Sequence, residues 1–157
     1  MIYKDGRFDN KEGQLIRRKI LSFIVYGASL LLSIFFIYTG TYKILHAKLF
    51  EFNAQRISLF PSFIIPYLAY LIALVEFIVA ILLIIKPLVG HMLFASIMLL
   101  FSVYIVYLNY NQLYEVCGCG GILNGLEYSS HLVLNVSLLT ISLLLIHYFV
   151  SEDKRVL

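Results

Sequence analysis

Residues 64–108 read IIPYLAYLIALVEFIVAILLIIKPLVGHMLFASIMLLFSVYIVYL and contain two charged side chains. The apolar segments on either side of Lys86, Ile64–Ile85 and Leu88–Leu108, each approach or exceed the ~20 residues that a helix needs to cross a bilayer. Because only Lys86 and Pro87 separate them, the two helices must form a tight antiparallel hairpin. Proline ends the first helix and fits the first turn of the second. This stretch predicts a helical membrane protein.

The rest of the chain has the same apolar character. Hydrophobic residues make up 61% of the 157 residues and charged residues 13%, against ~25% charged in a soluble domain. Two further apolar segments, Ile20–Tyr42 and His131–Val150, give four expected spans. We therefore expect an all-α integral membrane four-helix bundle over residues 20–150, with a basic leader at 1–19 and a tail at 151–157.

Lysine and arginine are distributed unevenly among the segments outside these spans. Nine lie in the leader, at Lys86 and in the tail, whereas three lie beside the other two connectors. The positive-inside rule then places both termini in the cytoplasm and the connector before the last span outside. We expect a multi-pass protein of the bacterial inner membrane, surrounded by lipid. Since acidic residues interleave with the basic ones of the leader, no nucleic-acid binding is expected.

The first outward connector, His46–Ser62, has apolar residues at helical spacing. These are Phe50, Ala54, Ile57 and Phe60. The pattern is typical of a short amphipathic helix that lies on the headgroups between the first two spans. An ordinary membrane-hugging connector is the alternative.

The connector before the last span contains both cysteines of the chain, in the sequence Cys117-Gly118-Cys119-Gly120-Gly121. A disulfide that closes so small a loop adds little stability. Its ring would be strained, and strained exposed disulfides are the labile, oxidising kind. We interpret the pair as a redox dithiol, with metal ligation and incidental or structural thiols as the alternatives.

Polar residues follow the dithiol at the start of the last span. Ser129 or Ser130 can cap this helix, which puts His131 in its first turn and Asn135 one turn further along the same face. An imidazole near a dithiol can move a proton or favour a thiolate. A solvated interfacial histidine and a helix-packing amide are the alternative interpretations.

Glu76 stands alone in the middle of the second span. No charged residue lies within nine positions on either side, and an ionisable group at this depth costs at least ~2.5 kcal/mol on insertion scales. We expect its carboxyl to face the bundle interior, where it is a proton carrier or a structural hydrogen-bonding group.

At the end of the first span, Gly40 permits close backbone approach. Lys43 is either a substrate contact or a lysine that snorkels to the headgroups.

Other tyrosines and histidines receive ordinary interpretations. His91 and His147 are expected to be interface residues at the inner side. Four tyrosines near the outer end of the third span are interpreted as an aromatic belt, with quinone stacking as the alternative: Tyr104, Tyr107, Tyr110 and Tyr114.

Several of these elements together resemble the MauE/DoxX superfamily, and the chain is most similar to MauE-like, redox-associated membrane proteins. The elements are Gly40-Thr41-Tyr42-Lys43-Ile44, the amphipathic connector, the helix from Pro66 to Glu76, and the Cys-Gly-Cys-x-Gly motif followed by His131 and Asn135. The resemblance spans about residues 30–146. The chain departs from the family at two positions. Gly120 stands where the family commonly has an aromatic residue, and Tyr128 stands where it often has a tryptophan.

The resemblance implies thiol redox chemistry on the outer face of the membrane. MauE is associated with maturation of a disulfide-rich periplasmic dehydrogenase alongside a thioredoxin-like partner, and DoxX relatives include quinone-linked subunits. By this similarity, Cys117 and Cys119 would exchange electrons between a quinone and a thioredoxin-like protein or disulfide-containing client. The chain is thus a candidate quinone-linked thiol-disulfide oxidoreductase.

The other site residues take their expected roles from this mechanism. Lys43, His131 and Asn135 would polarise the quinone beside Gly40, and Glu76 would supply protons. No metal is expected. The alternatives are a non-catalytic membrane anchor or assembly subunit, and a metal-handling site in which two thiolates and an imidazole would suit a soft ion such as Cu(I).

The predicted orientation can be tested by thiol labelling. A membrane-impermeant thiol reagent should modify Cys117 and Cys119 in reduced, intact spheroplasts, because their connector is expected on the outer face. Protection of both cysteines until the membrane is lysed would reverse the orientation.

Overall fold

The computed structural model describes residues 6–57, 59–114 and 126–156, and their regular structure is entirely helical. The helices are α1 (Gly6–Leu45), α2 (Ala47–Ile57), α3 (Ile65–Ile85), α4 (Pro87–Tyr110) and α5 (Tyr128–Val156). Within these described residues, four segments are long and apolar enough to cross a membrane: Ile16–Leu45, Ile65–Ile85, Pro87–Tyr110 and Tyr128–Glu152. The predicted all-α membrane protein with four spans is confirmed.

The boundaries of the first and last spanning helices differ from the expected ones. α1 begins at Gly6, so much of the polar leader is helical and continuous with the first span. α5 begins at Tyr128, and both Ser129 and Ser130 therefore lie within its first turn. The prediction that one of these serines caps α5 is wrong, because the first helical hydrogen bond runs from His131 N to Glu127 O at 3.0 Å.

The hairpin between α3 and α4 has one non-helical residue, Lys86. Its amide donates to Leu82 O at 2.9 Å, and its carbonyl accepts from Gly90 N at 2.9 Å. The turn brings Gly90 against the backbone of α3, where an added Cβ would lie 2.5 Å from Leu83 N. Glycine at position 90 therefore permits this close approach of the two helices.

The spanning helices pack as two pairs, α1 along α3 and α4 along α5, which the α3–α4 hairpin joins. Large apolar side chains from all four meet in one core, where the rings of Phe36 and Phe94 lie 4.4 Å apart. Because lipid is as apolar as these side chains, close packing and hydrogen bonds hold such helices together.

A buried histidine links three of the helices. His91 of α4 is 0% exposed. Its Nε2 lies 2.9 Å from Ser29 Oγ of α1, and its Nδ1 lies 3.2 Å from Ser142 Oγ of α5. The interpretation of His91 as an interface residue is wrong, since the two serines satisfy its ring nitrogens inside the bundle. His147 is exposed, as expected for an interface residue.

The short helix α2 confirms the amphipathic element predicted between the first two spans. Its buried residues are Ala54, which packs with Ile65 and Leu68 of α3, and Ile57, which packs with Ile105 of α4 and its neighbours. This helix lies across one end of the bundle, where α1 and α4 end and α3 and α5 begin. We call it the α2 end.

Replacement of Gly90 by alanine should destabilise the hairpin. The new Cβ would meet backbone atoms of Leu82 and Leu83 at 2.5–2.6 Å, so one helix must move. We expect a loss of about 2 kcal/mol or more in the free energy of unfolding, measured in detergent. Gly27→Ala in α1 is the control, because a Cβ there meets nothing within 4 Å. Equal stability of the two variants would contradict the close approach.

Candidate functional site

Two charged side chains from different helices meet inside the bundle. Lys43 Nζ of α1 donates to Glu76 Oε1 of α3 at 2.8 Å. The lysine is 3% and the glutamate 1% exposed. The interpretation of Lys43 as a snorkelling lysine is therefore wrong, because its ammonium turns inward to the carboxylate. Glu76 faces the bundle interior, as predicted, and its carboxylate has a charged partner there.

Gly40 lies where α1 approaches this carboxylate. A Cβ at position 40 would stand 3.3 Å from Glu76 Oε2 and 3.2 Å from the Phe77 ring. The expected close backbone approach at Gly40 is therefore present, and α3 is the helix that α1 approaches. Oε2 is buried and forms no hydrogen bond to any described residue. This half of the carboxylate retains its capacity to accept a proton or a hydrogen bond.

A cavity of about 350 Å³ lies beside the ion pair at the α2 end. Its wall is mostly apolar and aromatic, with side chains from all five helices. Its polar lining comes from Thr39, Lys43, Glu76, His131 and Asn135, with the Tyr104 side chain beside them. Four of the residues predicted to form the site thus lie around one space, with Gly40 directly behind it.

The wall of this cavity extends to the lipid-facing surface. Leu100 of α4 lines the cavity and is 66% exposed. Phe35 of α1 and Phe101 of α4 are half-buried and line it as well. The Phe101 ring also lies 5.7 Å from Lys43 Nζ. Leu100 therefore belongs both to the cavity wall and to the outside of the bundle.

Asn135 and His131 occupy the α5 side of the cavity. Asn135 is 2% exposed, and no described residue forms a hydrogen bond with its amide. His131 is 1% exposed, and its Nδ1 lies 3.1 Å from the Tyr114 hydroxyl. A buried amide normally has partners, so Asn135 is suited to a polar group of a molecule in the cavity.

Tyr114 connects the end of α4 to the start of α5. Its hydroxyl donates to Leu126 O at 2.8 Å, and its ring packs edge-on against Tyr128 at 5.6 Å. Burial raises the pKa of the Tyr114 phenol above its ordinary value, so the hydroxyl stays protonated at neutral pH. Tyr114 therefore keeps the hydrogen that its hydroxyl donates to Leu126 O.

The four tyrosines interpreted as a belt divide into two groups. Tyr110 is 87% and Tyr107 39% exposed, as a belt requires. Tyr104 lines the cavity and Tyr114 packs on His131, so the belt interpretation is wrong for these two. The residues missed from the sequence also include Thr39, whose hydroxyl donates to Phe36 O at 3.2 Å. A serine or threonine that bonds its own helix gives no sequence signal.

The Cys117–Cys119 pair lies outside the described residues. The described chain on either side of it ends at Tyr114 and resumes at Leu126, and these two residues are hydrogen-bonded to each other. The described residues that flank the dithiol segment are thus hydrogen-bonded to each other. One of them, Tyr114, also contacts His131. Among the described residues, no three His, Cys, Asp or Glu side chains are grouped to hold a metal ion.

Comparison with known proteins identifies the family. The family model described as Methylamine utilisation protein MauE matches residues 20–148. This range covers most of the chain and all four spans, so the chain belongs to the MauE family. No curated protein and no solved structure matches it. Within this family the chain is a multi-pass membrane protein.

A double-mutant cycle tests the buried ion pair. Lys43→Met and Glu76→Gln should each lower the free energy of unfolding by about 3 kcal/mol, because each leaves an unpaired polar or charged partner inside the bundle. The double variant should recover part of that loss, since neither charge is then present.

The measurement is chemical unfolding in detergent, with Lys48→Met in the exposed part of α2 as the control. Strictly additive losses would show that Lys43 and Glu76 do not interact.

Proposed function

We propose that this member of the MauE family is a membrane thiol-disulfide redox protein whose Cys117 and Cys119 exchange electrons between a quinone and a thioredoxin-like protein or a secreted client. The observation that carries the proposal is the cavity at the α2 end, where Lys43, Glu76, His131 and Asn135 meet. Polar groups that converge on an otherwise apolar pocket are the usual mark of a ligand site.

A quinone fits the residues around this cavity. The volume of about 350 Å³ falls within the range of small-molecule sites. Aromatic side chains, among them Phe101 and Tyr104, suit a flat ring. The lipid-exposed Leu100 in the wall suits an apolar tail that stays in the bilayer. Donor groups at Lys43 and Asn135 suit the carbonyl oxygens of the ring.

The chain's own residues would hold and orient such a ring. Asn135 has an amide with no partner among the described residues, so its N–H groups are available to a carbonyl oxygen. Lys43 offers further N–H groups while it stays bonded to Glu76. Burial strengthens both contacts, because no bulk water competes for them. A quinone bound there would supply the acceptor for two electrons and two protons.

Glu76 is the residue to which we assign proton transfer in this proposal. Its Oε1 accepts from Lys43, whereas its Oε2 has no described partner. A proton arriving at Oε2 would neutralise the carboxylate, and the ammonium of Lys43 would then be the group that needs a partner. Protonation of Glu76 would therefore free the Lys43 ammonium to bond a carbonyl oxygen of the bound ring.

The electrons and protons released by the dithiol equal those taken up by the quinone. Formation of the disulfide between Cys117 and Cys119 releases two electrons and two protons, which equals the uptake of one quinone. A thiolate of the client then attacks this disulfide, and a mixed disulfide resolves to leave the client oxidised and the pair reduced. The same steps in reverse would carry reducing equivalents outward.

Serine variants of the two cysteines test the proposal. In purified protein with a dithiol donor and a short-chain quinone, Cys117→Ser and Cys119→Ser should each abolish quinone reduction followed by absorbance. One of them should also accumulate a dithiothreitol-sensitive adduct with a thioredoxin-like protein, because the resolving thiol is absent.

A cavity variant separates the quinone from the dithiol. Asn135→Leu should weaken quinone reduction at least tenfold while leaving thiol exchange with the client intact, and Asn111→Leu at the exposed end of α4 is the control.

Normal quinone reduction and normal client oxidation in the double serine variant would leave the chain as an anchor or assembly subunit. Copper bound stoichiometrically by wild type but not by the serine variants would favour metal handling.

A further inference from the structure

The hydrogen bonds of Tyr114 determine which nitrogen of His131 carries a proton. The Tyr114 hydroxyl has one hydrogen, and Leu126 O, which lies 2.8 Å away, can only accept it. The second contact of the hydroxyl oxygen is with His131 Nδ1 at 3.1 Å. Because the hydroxyl hydrogen is committed to the carbonyl, this second contact is a hydrogen bond only if Nδ1 carries a hydrogen.

The position of Tyr114 is fixed from several sides. Its ring packs edge-on against Tyr128 at 5.6 Å and against His131 at 6.2 Å. It also packs against the buried group around Ile105 and Leu108. This packing holds the hydroxyl oxygen between Leu126 O and His131 Nδ1. Because Leu126 O can only accept, both contacts are hydrogen bonds when the hydroxyl donates to Leu126 O and Nδ1–H donates to the hydroxyl oxygen.

Nε2 is the ring nitrogen of His131 that Tyr114 does not contact. No described residue bonds to Nε2, although the side chain is 1% exposed and lines the cavity. In neutral imidazole the nitrogen without a hydrogen is an acceptor. His131 also lies in the first turn of α5, where the partial positive charge of the helix N-terminus disfavours an imidazolium.

We propose that Tyr114 is a positioning residue that holds His131 in its Nδ1–H tautomer, so that Nε2 is a proton acceptor for a molecule in the cavity. This inference rests on the proposed function for the identity of the proton donor, which is an O–H or S–H group of the redox partners. The proton passes from that group to Nε2, and the electron pair of the broken bond stays on the oxygen or sulfur. Tyr114 itself neither gains nor loses a proton.

Nitrogen NMR of the full chain in detergent, labelled with ¹⁵N-histidine, tests the tautomer without any quinone or thiol chemistry. The chain has four histidines, and the signals lost in His131→Gln identify the one of interest. If that variant fails to fold, His46→Gln and His147→Gln, both at exposed positions, and Ser142→Ala beside His91 identify the other three.

Wild type should show a protonated Nδ1 and an unprotonated Nε2 at His131. Tyr114→Phe keeps the ring and removes the hydroxyl, so it should shift the proton to Nε2 or give a mixture of tautomers. Tyr110→Phe, at an 87% exposed position on α4, should change nothing, and the His91 signals should stay constant as a check of the fold. A protonated Nε2 in wild type, or an unchanged tautomer in Tyr114→Phe, would overturn the inference.

Turnover provides the second readout. Tyr114→Phe should reduce dithiol-dependent quinone reduction about tenfold in kcat with little change in the quinone KM, and His131→Gln should reduce it about 10²-fold, the lower range for loss of a proton acceptor. Equal kcat in Tyr114→Phe and wild type would contradict the positioning role. Absence of all quinone reduction in wild type would overturn the proposed function, while the NMR result would still decide the tautomer.

Discussion

The buried contact between Lys43 and Glu76 constrains the whole α2 end of the bundle. Desolvation of two charges costs several kcal/mol per ion, and close contact is needed to offset it. The 2.8 Å distance between Nζ and Oε1 meets that requirement. Because each side chain comes from a different helix, α1 cannot slide or rotate against α3 here without leaving an unpaired charge in an apolar interior.

The helix packing around the pair follows from this constraint. Gly40 lets the backbone of α1 come close to Glu76 and Phe77, since a Cβ there would stand 3.2–3.3 Å from both. On the far side of the pair, the bundle leaves a cavity of about 350 Å³ instead of a packed core. Toward the other end of the bundle, Phe94 and Leu83 are each 0% exposed and belong to one apolar core.

The sequence predicted the spans and the α3–α4 hairpin because these depend on local composition, above all on Lys86 and Pro87 between two apolar runs. It predicted the residues of the site one by one and did not pair Lys43 with Glu76, which are 33 positions apart. A search for a counter-charge could have suggested the pair, since Glu76 is the one acidic residue within the four predicted spans and Lys43 directly follows the first of them.

The tyrosines show why orientation was harder to predict. A step of three residues falls roughly 60° short of a full helical turn, so the face drifts from Tyr104, inside the cavity, to Tyr110, outside the bundle.

The two walls of the cavity differ in how far their polar groups are satisfied. On the α1–α3 side, Lys43 and Glu76 neutralise each other, and one carboxylate oxygen remains. On the α5 side, Asn135 has no described partner and His131 uses one nitrogen. If these polar groups served only the fold, we would expect protein partners for all of their hydrogen bonds, because a buried donor or acceptor without a partner costs about 1–3 kcal/mol. Glu76, Asn135 and His131 all line the cavity, which is the arrangement expected where a ligand with both donor and acceptor groups completes the hydrogen bonds.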